Sequence, residues 1–366
     1  MMNYWLIIIV TVLLSFIAEE LYKRDNYIVG HIFSLSAVLI VSIFAGIRAN
    51  SVGTDVAYYV IPYIERVQFY PTFSRYMLAI PIEPLFAILA YVTGKFFSTP
   101  FLCLFVLQFL TVGPLYCVFY KKRKDMSIAL AMTLYLLLFF NMTLCIVRQC
   151  VATSLILFSY FCLEKKGKKR YIVLLIAFLF HYSSVLFMLM CFIFELCKRK
   201  KYKTLYKGII LVLTITAFAF IPSILQFLAQ MFGGFAGKYY QTFIMKQSAS
   251  NGISWTETAL RGTLLLGPVI AFIKNKENEE YEKNVFFMIL AIVLSVGAVL
   301  SEYLIRISYF FDYFYLIGIP YSVKCYSANN TSKLSYNALI VGFAFLYWFI
   351  VYNTWNYFGV FPYLIQ

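Results

Sequence analysis

Long apolar runs without polar interruption recur along the whole chain, separated by short polar connections. They fall at about 4–19, 28–47, 83–97, 101–120, 127–145, 149–163, 171–197, 207–229, 262–274, 285–301, 309–323 and 335–353. A helix that spans a bilayer needs about 20 apolar residues, whereas the strands of a membrane barrel would alternate apolar with polar positions. The pattern therefore predicts an all-α polytopic membrane protein, with about 10 full transmembrane helices plus partial or re-entrant helices.

Composition and charge agree with a membrane location. Hydrophobic residues make up 62% of the chain and charged residues only 13%. Much of the positive charge, in a chain of formal net charge +15, lies in basic clusters at 121–124, 165–170 and 198–203. Basic loops between apolar runs mark the cytoplasmic face of a membrane protein. We therefore interpret the charge as a topology signal and expect no nucleic-acid partner.

These basic loops predict the path of the shorter segments. Segment 171–197 starts and ends inside but is too short for two spans, so it is predicted to be a re-entrant hairpin that turns near 181–184. Segment 83–97 is interpreted as a second partial helix, which leaves 48–81 as an outer, periplasmic loop with interfacial helices. Residues 233–261 are predicted to form a second outer loop. The whole chain is predicted to be one integral membrane domain.

The cysteines and histidines show no metal-binding pattern. Eight cysteines are scattered, mostly inside apolar runs, and no CxxC pair occurs. The two histidines, His31 and His181, are 150 residues apart. P-loop, GxSxG and paired-carboxylate signals are missing as well. We therefore expect no metal and no cofactor.

On the predicted topology, a set of polar side chains gathers at the outer face. It comprises Arg48, Asp55, Glu83, Arg148, Gln149, His181, Arg261, Glu302, Arg306 and Tyr309. Ionisable groups in the hydrocarbon region cost on the order of 2.5–3.5 kcal/mol each, so they tend to face a cavity and mark function. Guanidinium groups bind phosphate oxygens bidentately and stabilise the charge that develops on a diphosphate leaving group. The set therefore predicts a lipid-diphosphate site, beside which Tyr59 offers an aromatic face to a sugar ring.

Each of these residues also has a purely structural interpretation. A single arginine near the end of a span is commonly an interfacial anchor. Asp55 is well placed to cap the helix predicted to begin after it. Glu83 precedes Pro84, which is typical of a helix start, and His181 could be a core or capping residue. These alternatives stay open at the level of sequence.

Four motifs, in order along most of the chain, resemble the EpsG family of bacterial polysaccharide polymerases. The first is RxxxVGTDxxxY at 48–59, and the second is Glu83-Pro84 at the start of the next apolar segment. The third is the stretch 147–187, in which Arg-Gln precedes a span and is followed by a basic loop and by His and Ser. The fourth is Arg306 before Tyr309. Each motif alone is short, whereas their order and apolar context are specific. The tail after residue 324 carries none of them.

The resemblance implies a Wzy-like polymerase of the GT-C class of membrane glycosyltransferases. Such an enzyme joins undecaprenyl-diphosphate-linked oligosaccharide repeats into O-antigen or exopolysaccharide at the outer face of the bacterial inner membrane. It transfers the growing glycan from its lipid diphosphate to a sugar hydroxyl of the next repeat and releases undecaprenyl diphosphate. The implied partners are the lipid-linked substrate, membrane lipids and a chain-length regulator protein.

The resemblance also suggests roles for the outer-face residues. Arg148 and Arg306 are expected to hold the diphosphate, and Arg48 is expected to assist or to hold the acceptor sugar. Asp55 or His181 is expected to accept the hydroxyl proton, and the choice between them is open. The remaining substrate-binding candidates are Gln149, Arg261, Tyr59, Glu83, Glu302 and Tyr309.

Other membrane functions fit the sequence less well. A transporter or glycolipid flippase would show paired repeats or broken helices in corresponding halves, and no such symmetry is visible. A membrane O-acyltransferase would use a histidine in an apolar stretch, but it would not depend on four outer arginines. A glycan ligase shares the lipid-linked donor, so composition does not separate it from a polymerase.

Overall fold

The computed structural model groups the chain into two compact units. The described residues are 2–80, 82–97, 99–164, 167–198, 208–209, 227, 230, 253–274, 278–296, 302–326 and 330–365. Unit 1 comprises Met1–Val185 with Val323–Gln366, and unit 2 comprises Leu186–Ser322. Within the described residues every element is helical, which confirms the all-α prediction. The prediction of one integral domain stays a prediction.

The helices are long in some places and reduced to one or two turns in others. They are α1 Met2–Lys23, α2 Tyr27–Gly46, α3 Ile61–Arg66, α4 Phe73–Ala79, α5 Pro84–Phe96, α6 Phe101–Lys121, α7 Ile128–Leu134, α8 Phe140–Thr143, α9 Val147–Cys162, α10 Lys168–Phe180, α11 Ser184–Lys198, α12 Ile253–Lys274, α13 Glu279–Val296, α14 Glu302–Asp312, α15 Tyr315–Tyr326 and α16 Asn330–Trp348. Shorter turns are π-helical at Val56–Val60, Tyr135–Phe139 and Phe349–Thr354, and 3-10 at Val67–Phe69. In unit 1, α1 packs on α2, α2 on α6 and α6 on α9.

Five helices among the described residues are long and apolar enough to cross a membrane, judged by length and composition. They are Tyr4–Lys23, Tyr27–Gly46, Phe101–Lys121, Trp255–Lys274 and Thr331–Thr354. Leu6, Ile9 and Leu13 on α1 are each more than half exposed, as expected of side chains that contact lipid. These features confirm a polytopic membrane protein. The count of about 10 full spans stays a prediction.

An aromatic core joins the first helices of unit 1 to the segment 356–365. Tyr4 is fully buried and stacks on Phe361, with ring centroids 4.8 Å apart. Phe44 stacks on Tyr363 at 4.0 Å. Aromatic pairs of this kind contribute about 0.5–1.5 kcal/mol beyond the area that they bury. The 356–365 segment is therefore held against α1 and α2.

A buried carboxylate ties α1 to α7. Glu19 Oε2 accepts hydrogen bonds from Ser127 Oγ at 2.6 Å and from the Ala129 N–H at 3.0 Å. Ser127 also caps α7, since its hydroxyl accepts from the Leu130 N–H at 3.2 Å. These contacts satisfy N–H groups that the first turn of a helix leaves without partners, and the helix dipole favours the carboxylate there.

The two segments that were predicted to be an interfacial loop and a re-entrant hairpin both consist of helices separated by breaks. Residues 48–81 contain short helices between Val56 and Ala79. The 171–197 segment is broken into α10 and α11 at 181–183, where the hairpin was predicted to turn. The re-entrant path of this hairpin and the outer position of the loop stay predictions.

The second predicted loop, 233–261, differs from the structure in its last part. Residues 233–252 lie outside the described residues, and α12 begins at Ile253, so the rest of the segment is helical. The position of 233–261 at the outer face stays a prediction. The helix continues through 253–261 because Glu257 and Arg261 lie one turn apart and form an ion pair, which offsets the cost of two charged residues.

Candidate functional site

Four predicted site residues are chain neighbours of members of one hydrophobic cluster in unit 1. The cluster includes Val56, Ile82, Val147 and Phe180. The chain neighbours of these four residues are Asp55, Glu83, Arg148 and His181 respectively. Because the apolar side chains pack into one core, the four polar residues are anchored around that core although they come from separate parts of the chain.

Glu83 stands at the start of α5. Pro84 occupies the first turn of the helix, and the residue before a proline favours extended backbone, as found here with φ −62° and ψ 135°. The Glu83 carbonyl accepts from the Ala87 N–H at 2.9 Å, whereas its side chain makes no capping hydrogen bond. The carboxylate is therefore directed to residues outside α5, and it is buried there.

Arg148 is the second residue of α9, and its guanidinium contacts the Glu83 carboxylate. Its Nη1 donates to Glu83 Oε2 at 2.5 Å, and the guanidinium lies over the Phe86 ring, 5.1 Å from the centroid. The positive end of a helix dipole disfavours an arginine at this position, and the carboxylate offsets that cost. The Arg148 side chain is 23% exposed, so a ligand can reach it.

His181 follows the last residue of α10 and joins Glu83 to a hydroxyl group. Its Nδ1 lies 3.0 Å from Glu83 Oε1, and its Nε2 lies 2.7 Å from Ser183 Oγ. An ionised carboxylate only accepts hydrogen bonds, so Nδ1–H donates to Glu83 and, in the neutral ring, Nε2 accepts from the Ser183 hydroxyl. This arrangement orients a histidine to take a proton at Nε2.

The Glu83 carboxyl is ionised although it is buried. Burial raises its pKa, but the hydrogen bond with His181 and the charge of Arg148 outweigh burial and lower the pKa to about 2. One carboxylate oxygen therefore holds a guanidinium and the other an imidazole.

We refer to Glu83, Arg148, His181 and Ser183 as the Glu83 cluster. It combines a cation suited to phosphate with a histidine whose Nε2 contacts a hydroxyl. The sequence pattern singled out the first three residues but not Ser183. The available signal was its place two residues after the histidine, in a break between two apolar helices.

Arg48 lies two residues after the end of α2 in unit 1 and is only 1% exposed. Its Nε, Nη1 and Nη2 make no hydrogen bond within the described part of the chain. Tyr363, Tyr4 and Cys145 are among the groups nearest to its charge. Arg48 also pairs with Ile365 in an antiparallel bridge. The sequence predicted Arg48 at the edge of a span. In the structure it is also surrounded by residues that are distant in the chain, among them Tyr363 and Cys145.

The other predicted residues of unit 1 have different surroundings. Asp55 is half-buried, and its side chain makes no capping hydrogen bond in the described structure, which does not support its interpretation as a cap. Its backbone N–H donates to Cys145 Sγ at 3.4 Å, in the turn before α9. Tyr59 is 49% exposed, whereas Gln149 is buried, and their roles in substrate binding stay predictions.

Unit 2 contains a second buried charge cluster. Arg261 Nη1 donates to Asp312 Oδ2 at 2.7 Å, its Nη2 donates to Glu257, and its guanidinium lies 5.0 Å from the centroid of the Tyr309 ring. We refer to these four residues as the Arg261 cluster. The sequence pattern did not identify Glu257 and Asp312 as partners of Arg261. The signal for Glu257 is its spacing of one helical turn from Arg261, whereas Asp312 has no local signal.

Arg306 and Glu302 lie on α14 in the same unit. Arg306 is half-buried, and the side chain of Glu302 is outside the described residues. Arg148 belongs to the other unit, so its joint diphosphate site with Arg306 stays a prediction. No group of three or more His, Cys, Asp or Glu among the described residues could hold a metal ion.

Comparison with known proteins identifies a family. No match is found among curated proteins or among solved structures. The EpsG family matches residues 31–365, which confirms the resemblance carried by the four motifs. The match supports a polysaccharide polymerase role in general. The chain therefore belongs to the EpsG family.

Proposed function

We propose that this protein polymerises undecaprenyl-diphosphate-linked oligosaccharide repeats into O-antigen or exopolysaccharide and releases undecaprenyl diphosphate. In this proposal it is a Wzy-like glycosyltransferase of the GT-C type at the outer face of the bacterial inner membrane. Family membership supports the polymerase role in general, and the five apolar helices support a membrane location. The finer proposal depends on one observation, the Glu83 carboxylate that Arg148 and His181 share.

The proposed reaction is a single displacement at the donor sugar. The acceptor hydroxyl lies beside His181 Nε2, on the side where Ser183 Oγ stands in the structure. The acceptor oxygen forms a bond to the anomeric carbon of the donor glycan, and the bond from that carbon to the diphosphate oxygen breaks. The hydroxyl proton goes to Nε2, and the electron pair of the broken bond leaves with undecaprenyl diphosphate.

Each charged residue has a separate task in this reaction. Arg148 stabilises the negative charge that develops on the departing diphosphate, and Arg306 is proposed as a second diphosphate ligand from the family motif. Glu83 is a positioning residue, because it fixes Nδ1–H of His181 and holds Arg148 beside it. Of the two candidate bases, the contacts favour His181 over Asp55, since Nε2 already lies 2.7 Å from a hydroxyl.

Polymerisation from one defined substrate tests the proposal. The purified protein in lipid vesicles receives one synthetic undecaprenyl-diphosphate-linked repeat and no other acceptor. We expect a ladder of glycans at whole multiples of the repeat, with release of undecaprenyl diphosphate. Free glycan or unchanged substrate would contradict the polymerase and favour a ligase or a transporter. Label that crosses the bilayer without forming a ladder would favour a flippase.

A further inference from the structure

Arg48 carries a buried positive charge that the described chain does not satisfy. The residue is 1% exposed, and none of its three side-chain nitrogen atoms donates a hydrogen bond to the described residues. Burial lowers its pKa to about 10, so the guanidinium keeps its charge at neutral pH. A buried charge without a partner is strongly destabilising, and an oxyanion is the partner that a guanidinium binds best.

Among the described residues, the groups that act most strongly on the Arg48 charge are tyrosine hydroxyls and cysteine thiols, not carboxylates. The Tyr4 hydroxyl donates to a backbone carbonyl at 3.0 Å, and the Tyr363 hydroxyl donates to another. Burial raises the pKa of Tyr363, so this phenol stays neutral. The Cys145 thiol accepts the backbone N–H of Asp55 at 3.4 Å. A phosphate-type oxyanion would supply the missing charge and match the planar guanidinium with two oxygens.

The 356–365 segment covers Arg48 and is joined to residues 49–54 by three backbone hydrogen bonds. The Ala49 N–H donates to the Leu364 carbonyl at 2.8 Å, beside the bridge between Arg48 and Ile365. Leu364 and Ile365 are 50% and 53% exposed, so this end of the segment lies at the surface. Because Arg48 is 1% exposed beneath this segment, an anion from solution reaches its guanidinium only when the segment moves.

The other end of the cover is shaped by two glycines. Gly53 donates its N–H to the Gly359 carbonyl at 2.9 Å, and both residues have positive φ, 93° and 62° respectively. A Cβ on Gly359 would lie 2.7 Å from the Thr54 side chain, and a Cβ on Gly53 would lie 2.4 Å from the Leu144 carbonyl oxygen. Gly53 in the VGTD motif and Gly359 in the 356–365 segment therefore allow these two close approaches of the backbone.

We propose that Arg48 binds a phosphate-type oxyanion in a site covered by the 356–365 segment, which moves aside to admit the anion. The inference rests on the proposed function only for the source of the anion, the diphosphate of the substrate lipid. Free inorganic pyrophosphate presents the same chemistry. The site also adjoins the turn that leads to Arg148, because Thr54 and Asp55 both contact Cys145 in that turn.

A reversible cross-link tests whether the segment must move. Arg48 and Ile365 face each other in an antiparallel pair, so Ala49 and Leu364 form the next facing pair. Facing residues have Cβ atoms about 4.5–5.5 Å apart, close to the spacing that a disulfide accepts. Ala49→Cys combined with Leu364→Cys therefore locks the segment when oxidised and releases it when reduced. The two single variants, treated identically, control for oxidation of the native thiols.

Binding is measured with inorganic pyrophosphate and, separately, with undecaprenyl diphosphate in detergent micelles. We expect the reduced double variant to bind like the wild type. The oxidised form is expected to lose about tenfold or more in affinity. Arg48→Gln is expected to lose about tenfold or more in affinity, with Arg48→Lys in between. The locked variant keeps Arg48, so it tests the site even if Arg48→Gln does not fold.

The outcomes separate the sources of the anion. If Arg48→Gln weakens the binding of pyrophosphate, the free anion is sufficient for the site. If Arg48→Gln weakens only the binding of undecaprenyl diphosphate, the lipid headgroup is the source of the anion. Equal affinity of the oxidised and reduced forms, wild-type affinity of Arg48→Gln for both probes, or no binding by the wild type would overturn the proposal. Because binding needs no acceptor, a protein that binds but builds no ladder contradicts only the proposed function.

Discussion

The Glu83 cluster and the Arg261 cluster place the same kinds of charged residue in different surroundings. Arg148 shares one carboxylate with a histidine, and its side chain is 23% exposed. Arg261 contacts two carboxylates, those of Glu257 and Asp312, and its side chain is 6% exposed. A guanidinium has five N–H donors. Arg261 therefore directs its donors into the protein, whereas Arg148 has donors that a ligand can reach.

The difference distinguishes an arginine suited to binding from one suited to holding helices together. The Arg261 cluster links α12 to α14, and removal of one partner of such a buried pair is strongly destabilising. The Glu83 cluster also links helices, but its histidine and its guanidinium are each 23% exposed and contact the same carboxylate. The comparison favours Arg148 over Arg261 as a ligand of the diphosphate, although the sequence marked both as substrate-binding candidates.

The largest effect on activity is expected for His181→Ala. Loss of a general base typically slows a reaction by about 10²–10⁴-fold, because no group then takes the acceptor proton. Asp55→Asn is the matched variant and is expected to lose much less activity. Initial rates of ladder formation by the purified variants measure both effects. The reverse order of losses would assign the base to Asp55 and contradict the role given to the Glu83 cluster.

Arg148→Ala is expected to lose the polysaccharide ladder as well. Removal of a group that stabilises developing charge costs about 10²–10³-fold in rate. Ladder gels from cells, together with immunoblots of the membrane fraction, should show a missing ladder at normal protein level. Arg306→Ala is expected to behave in the same way. If both variants still polymerise, the assignment of the diphosphate ligands fails.

Glu83→Gln tests the shared carboxylate through the pH dependence of stability. The folded pKa of Glu83 is about 2, below its ordinary value of 4.5. Its contribution is therefore complete above about pH 4.5 and is lost as the pH falls toward 2, with an upper limit of about 3 kcal/mol. Thermal unfolding in detergent should show a steeper loss at acid pH for the wild type than for Glu83→Gln. Parallel curves would contradict the ion pair.

The smallest effect on activity is expected when the whole Arg261 cluster is neutralised. Arg261→Met alone should cost about 3–5 kcal/mol of stability, because two buried carboxylates lose their guanidinium. Arg261→Met combined with Glu257→Gln and Asp312→Asn should recover much of that loss and still form a ladder. Unfolding curves and ladder assays on the same preparations measure both. A triple variant that folds but does not polymerise would support the assignment of Arg261 as a substrate-binding residue.

Much of the architecture of this protein follows from its sequence alone. The apolar runs predict helices because each helix satisfies its own backbone groups in lipid, which is a local requirement. Pro84 marks the start of α5, and the polar residues at 181–183 mark the break after α10. Both signals depend only on neighbouring residues in the chain. The four short motifs also indicated the EpsG family, because their order can be read from the sequence alone.

Only the tertiary structure decided which of the marked residues meet. Glu83 contacts Arg148 and His181 across 65 and 98 residues, and no periodic pattern within α5, α9 or α10 specifies those pairs. The cover of Arg48 by 356–365 joins segments from opposite ends of the chain, and the tail carried no motif. Hydrophobic periodicity reports the preference of each segment separately. Which carboxylate meets which cation depends instead on how helices pack, and that is settled by contacts between distant segments.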